Sequence, residues 1–217
     1  MAAGVAIVAV VAVGCTDPSK DYDDFQTRIG SLTDSSTADT GGDAAPEVSR
    51  DGSIFDEAGV ASFSGEFWSV CLDKSYAGDI SAAVSDHFHF EFVANADGTV
   101  SVSGNRQALT LGATNISQTV GDPTTIPSVP VDVNGAFSAH VATFITPKAA
   151  NVFGFDLVVE NGLYTLQATS PNTVCGHFTA NVTSPIPQDV DETCVMQRPA
   201  ADGSFVPLTT ADSIHCP

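Results

Sequence analysis

Residues 87–93 read His-Phe-His-Phe-Glu-Phe-Val, and strict alternation of this kind suits a half-buried strand. Successive strand residues point to opposite faces, so Phe88, Phe90 and Phe92 share one side while His87, His89 and Glu91 share the other. A helix would scatter the three rings around its circumference. The same two-residue period recurs from residue 58 onward, in short runs divided by Gly, Asn, Asp and Pro. Ser62–Leu72 comes first, and Asn95-Ala-Asp-Gly98 turns His87–Val93 into Thr99–Val102. Gln107–Leu111 follows a bulge at Gly104, then Ile116–Val120 leads into a Pro-rich crossing at Asp122–Pro130. Asn134-Gly135 is the strongest hairpin signal, and Asn161-Gly162 predicts a second hairpin between Val152–Val159 and Leu163–Ala168. Val174–Val182 closes the series, with Val174, Gly176 and Phe178 facing inward. No amphipathic helix of useful length interrupts this pattern. The fold class is all-β: eight or nine antiparallel strands over residues 58–185, forming an up-and-down barrel or, alternatively, a two-sheet sandwich.

The first residues have a different character. Ala2–Gly14 is uninterrupted and apolar, too short to cross a hydrocarbon core that needs ~20 helical residues, but the length of a secretory signal's apolar segment. Ala12-Val13-Gly14-Cys15 resembles the signal of bacterial lipoproteins, whose cysteine is lipidated and becomes the mature N-terminus. The resemblance implies a signal peptide over residues 1–14, lipidation at Cys15, and a bacterial cell-envelope location, the outer membrane in preference to the inner. The membrane is then a partner through the lipid alone.

Charge and composition narrow the rest. The chain carries 26 acidic against 7 basic residues, a formal charge of −19. Nucleic acid requires a basic face to replace counterions, and anionic lipid attracts basic segments, so both are excluded as direct partners of the domain. Residues 15–57 are rich in Asp, Ser, Thr and Gly, too polar and too uniformly charged to bury a core. They predict a disordered, self-repelling tether. Cysteines stand at 15, 71, 175, 194 and 216. With Cys15 lipidated, four remain, which in an oxidising compartment implies two disulfides in one of three connectivities. Barrel closure between the first and last strands would bring Cys71 to Cys175 and leave Cys194 and Cys216 to close a C-terminal tail, residues 186–217.

His87, His89 and Glu91 are the sharpest chemical constellation, since two imidazoles and a carboxylate on one strand face are sound ligands for Zn²⁺ or a similar ion. His140 and His177 lie on polar strand sides too. The competing reading makes all of them ordinary water-facing residues. Asp189, Asp191 and Glu192 read as solvated carboxylates. The sequence has no Gly-x-Ser-x-Gly elbow, His-Glu-x-x-His pair or phosphate-cradling Gly loop, so it predicts no enzyme, no catalytic residue and no cofactor. Phe67 and Trp68, with Phe88, Phe90 and Phe92, line a ligand cavity or fill a core.

Gly65-Glu-Phe-Trp68 on a first strand, with a cysteine further along, looks like the Gly-x-Trp entry of lipocalins, which implies a barrel carrying a small apolar ligand. The span 62–185 is similar to β domains of Gram-negative lipoproteins in Val129–Phe137 and Thr173–Val182. That likeness implies a fold and a compartment and transfers no catalytic residue. The expectation is a lipid-anchored envelope protein whose β domain has a structural or binding role, with an envelope protein or a small apolar molecule as partner.

Overall fold

The computed structural model describes residues 53–55, 59–76 and 79–214. Apart from single helical turns, its elements are strands: β1 Gly65–Asp73, β2 Val84–Ala94, β3 Val100–Leu109, β4 Thr119–Val131, β5 Ala136–Val141, β6 Phe144–Thr146, β7 Leu157–Ser170, β8 Thr173–Ser184 and β9 Gln188–Gln197. They form one antiparallel sheet in the order β4-β3-β2-β1-β9-β8-β7-β5, with β6 also paired to β7. β5 pairs with residues 162–167 of β7 and β6 with residues 157–159, so β5 and β6 are two halves of one strand position. The result is a nearly closed eight-position up-and-down barrel rather than a sandwich. β9 returns to β1, and β4 curls beside β5 with no ladder between them among the described residues.

The Asn134-Gly135 turn forms as its chemistry predicts. Gly135 has φ 82°, and the Asp132 carboxylate accepts from the Asn134 and Ala136 amides at 2.8 Å each. Other expectations need correction. Asp122–Pro130 is the body of β4, not a crossing. Proline has no N–H to give a ladder, but β4 pairs on one edge only, so its unused edge tolerates Pro123, Pro127 and Pro130. Asn161-Gly162 is a bulge inside β7 rather than a hairpin. Asn161 has φ 55°, and the β7–β8 register shifts between Glu160 and Leu163. A Cβ on Gly162 would lie 2.5 Å from Val141 Cγ2, so the bend needs a glycine there.

The domain also reaches past both predicted limits. Ile54 and Phe55, assigned to the tether, dock on the barrel, and Phe55 is buried. The stretch read as a disulfide-closed tail after residue 185 contains a strand of the barrel, β9. The segment after β9 then straps the outer face of β1, where Phe205 stacks on Trp68 with ring centroids 4.5 Å apart.

β9 also explains the cysteines. Cys71 bonds Cys194, its directly opposed partner on β9, and not Cys175. β9 separates β1 from β8, and Cys175 faces outward while Cys71 and Cys194 face the barrel interior. The expected Cys194–Cys216 pair is excluded with it. Cys175 is itself disulfide-bonded. Cys15, the signal over residues 1–14, the tether up to residue 52, and Cys216 lie outside the described residues.

One end of the barrel is plugged. Phe55 and Phe63 meet with ring centroids 4.8 Å apart and both touch Phe92, which packs on Phe137. Arg198 fastens this end, donating to the carbonyls of Ser62, Ser64 and Pro171, with its guanidinium 4.8 Å from the Phe67 ring. From the plug a column of rings, Phe92, Phe90, Phe88, Tyr164 and Phe178, runs down the interior. Edge-to-face pairs contribute about 0.5–1.5 kcal/mol each beyond their buried area. The rings thus fill the plugged half, and the opposite end is built differently.

Candidate functional site

Strand alternation puts charged residues into the barrel as well as rings. Asp86 is in phase with Phe88 and Phe90 on β2, and Arg106 lies opposite Phe88 on β3. Both therefore point inward, one step diagonally apart, and the Arg106 Nη2 donates to Asp86 Oδ1. Their side chains are each only 4% exposed. The Arg106 guanidinium also lies 4.2 Å from the centroid of the Phe144 ring on β6. Its Nε–H is buried and, among the described residues, has no hydrogen-bond partner. A buried, unsatisfied donor costs about 1–3 kcal/mol, more when charged, so this one calls for an explanation.

The space beside it supplies one. At the end opposite the plug, the barrel holds a cavity of about 60 Å³, several times what one water needs. Its walls are apolar, among them Leu157, Val159, Phe178, Val182 and Val190, and its polar groups are Asp73, Asp86, Arg106, Thr146, Tyr164, Gln188 and Glu192. Tyr76 on the β1–β2 connection and Phe153 on the β6–β7 connection approach each other at the rim, ring centroids 6.1 Å apart. The cavity is thus a small cup with a polar floor, apolar walls and an aromatic rim.

Its electrostatics follow from burial. Glu192 projects inward from β9, in phase with Cys194 and Met196. Desolvation, reinforced by the negative charges of Asp86 and Asp73 and only partly offset by Arg106, pushes its carboxyl from the usual 4.5 up to about 8. It therefore holds a proton at neutral pH. Burial likewise keeps the Tyr164 hydroxyl protonated, outweighing the opposing pull of Arg106, with Asp86 and Glu192 acting in the same direction as burial. Asp73 is already engaged: Oδ1 accepts from the Ser75 amide and hydroxyl, and Oδ2 from the Asp191 amide at 3.0 Å.

The residues singled out in the sequence lie elsewhere. Phe67, Phe88, Phe90 and Phe92 face inward as expected but pack against one another and do not line the cup. Trp68 faces outward beneath the C-terminal strap. His87 and His89 do share an outer face, yet they converge on Glu66 of β1 rather than on Glu91. His87 Nε2 lies 2.5 Å from Glu66 Oε2, and His89 Nδ1 lies 2.8 Å from Glu66 Oε1. Burial raises the Glu66 pKa, but the hydrogen bonds from His87 and His89 outweigh it and hold the carboxyl below its ordinary value. Glu91 is exposed, as are His140 and His177. Among the described residues, the single trio of candidate ligand atoms close enough to share an ion is Cys71, Glu192 and Cys194. Its sulfurs form the disulfide, so they offer no thiolate.

Of the carboxylates assigned to solvent, Asp191 pairs with Lys74 at 2.6 Å and Asp189 accepts from Asn181, while Glu192 is drawn into the cup. Asp86, Arg106, Tyr164 and Glu192 are the functional candidates that the pattern of motifs missed. The signal was present as phase: each falls on the inward parity of its strand. No protein-family model, curated protein or solved structure matches the chain.

Proposed function

We propose that this chain is an exported, lipid-anchored envelope protein whose barrel binds a small amphipathic molecule in the cup at its open end. The observation that carries the binding half is Arg106: a buried guanidinium whose Nε–H has no partner, beside a cavity with apolar walls. A bound acceptor would satisfy that donor, and the rest of the ligand would lie along the walls toward Tyr76 and Phe153. Binding suits the cup better than catalysis does. The Asp86 carboxylate is engaged by Arg106, and among the described residues no imidazole lines the cup. The hollow, Phe-lined interior of a lipocalin-like carrier gives way to this smaller, more polar site.

The compartment is supported by Ala12–Cys15 and by the buried Cys71–Cys194 disulfide, which suits an oxidising environment. The outward faces of the strands are polar, with Ser101, Ser103, Asn105 and Gln107 on β3 and His177, Thr179 and Asn181 on β8. Such faces suit water rather than lipid, so attachment falls to the N-terminus.

Two measurements test this reading. Cells labelled with radioactive palmitate should incorporate label into the wild type and not into Cys15→Ala; label in the variant refutes the anchor. Native mass spectrometry of protein purified from its envelope should show a small-molecule adduct that weakens at least tenfold in Tyr164→Phe. An adduct indifferent to that substitution places the ligand outside the cup.

A further inference from the structure

We infer that the cup selects a ligand whose head is a neutral hydrogen-bond acceptor, the carbonyl oxygen of a ketone, ester or amide, on a short apolar body. This rests on the binding reading above and specifies its chemistry.

Arg106 Nε–H is buried without a partner. Tyr164 is 2% exposed and carries its phenolic proton into the same cavity. Glu192 is protonated at neutral pH, so it too offers an O–H. Each of these groups donates to an acceptor, and among the described residues Arg106 Nε–H has none.

Charge then decides which acceptor. The ionisable groups facing the cup are Asp73 from β1, Tyr76 from the β1–β2 connection, Asp86 from β2, Arg106 from β3, Tyr164 from β7 and Glu192 from β9, while β6 and β8 contribute Thr146 and apolar side chains. The one cation among them is already paired with Asp86, and Asp73 adds negative charge at the edge. A carboxylate ligand would meet no unpaired positive charge and would be repelled by Asp86 and Asp73. An ammonium would be drawn to Asp73 and Asp86, but both carboxylates are already engaged, and it would leave Arg106 Nε–H unsatisfied. A carbonyl oxygen satisfies the donors without adding charge, and with two lone pairs it accepts from two of them at once. The space suits a head of a few atoms, with an alkyl body passing between Leu157 and Val190 to the rim.

The inference is tested with three matched probes, 2-heptanone, hexanoate and hexylamine, titrated into the intact protein. Affinity is followed by calorimetry, and the site by the ¹⁵N resonance of Arg106 Nε–H. The ketone should bind at least tenfold tighter than either charged probe and should shift that resonance. Its affinity should fall severalfold between pH 6.5 and pH 9.5 as Glu192 loses its proton. In Glu192→Gln, whose amide still donates, binding should persist with a flat pH profile. Tyr164→Phe removes one hydroxyl at nearly constant volume and should weaken the ketone severalfold. Hexanoate or hexylamine binding as tightly as the ketone, with the Arg106 resonance moving, overturns the head-group assignment and leaves the site standing. No binding by any probe, with the resonance unmoved, overturns both.

Discussion

Glu192 holds a proton that an exposed glutamate would have lost, and this couples folding to pH. Its folded pKa is raised from 4.5 to about 8, so the folded state binds a proton more tightly than the unfolded chain does. The associated stability is fully present below about pH 4.5 and is lost as pH rises through about 8, at roughly 1.4 kcal/mol per pH unit across that window. Glu192→Gln should therefore gain stability relative to the wild type by a few kcal/mol between pH 5 and pH 8.5, measured by urea denaturation. An equal difference at both pH values contradicts the burial argument. The Asp86–Arg106 pair makes a second residue-level claim. Arg106→Met strands a buried carboxylate and should cost about 3–5 kcal/mol, whereas adding Asp86→Leu should recover most of that loss. If the double variant is as unstable as the single one, the pair is not the unit described here. Ser69 is the opposite case. Its hydroxyl is buried and unpartnered inside the barrel, so Ser69→Ala should be neutral or stabilising by up to ~1 kcal/mol in the same denaturation assay.

At the scale of elements, the alternating runs fixed the inward and outward faces of β2, β7 and β8, and the structure places their residues accordingly. Two elements were hidden for physical reasons. Proline in Asp122–Pro130 argues against a strand only where both edges are paired, and the sequence does not reveal that β4 is an edge. Asn-Gly at 161–162 encodes a left-handed residue followed by one without a Cβ, which a bulge uses as readily as a hairpin does. The cysteine pairing was more legible than the closure argument allowed. Cys175 has the opposite parity to Val174 and Phe178, while Cys71 has the parity of Phe67, so the two sulfurs lie on opposite faces of the sheet. Replacing Cys71 and Cys194 together by serine should cost about 2–5 kcal/mol, read from the shift in denaturation midpoint. A loss of only a few tenths would mean that ladder pairing of β1 with β9 holds this seam without the bridge.

Over the whole domain, the barrel has two unlike ends and an outer strap. Rings from β1, β2 and β5 and the segment before β1 fill the plugged end, so Phe67, Phe88, Phe90 and Phe92, read as cavity lining, pack on one another there, while Trp68 lies outside under the strap. The strap after β9 buries the outward faces of Trp68, Val70 and Leu72. Trp68 is the sole tryptophan of the chain, which makes it a specific reporter of that docking. Phe205→Ala should expose its indole, shifting fluorescence to the red and costing about 3–5 kcal/mol if the site cannot repack. Unchanged emission would show that the strap does not seal this face. The cup escaped notice because its polar groups are contributed one or two at a time by six strands, β1, β2, β3, β6, β7 and β9. No local motif marks such a set. It emerges only once the strand order is known and the parity of each strand is followed into the barrel.

The central claim is that the open end is a ligand site and not a satisfied polar core. A high-resolution crystal structure of protein purified from its own envelope, without added ligands, tests this most directly. The account predicts density for a non-protein group in the cup, with an acceptor atom at hydrogen-bond distance from Arg106 Nε. A cup collapsed onto its own side chains, with Arg106 Nε donating to a protein acceptor, would contradict it.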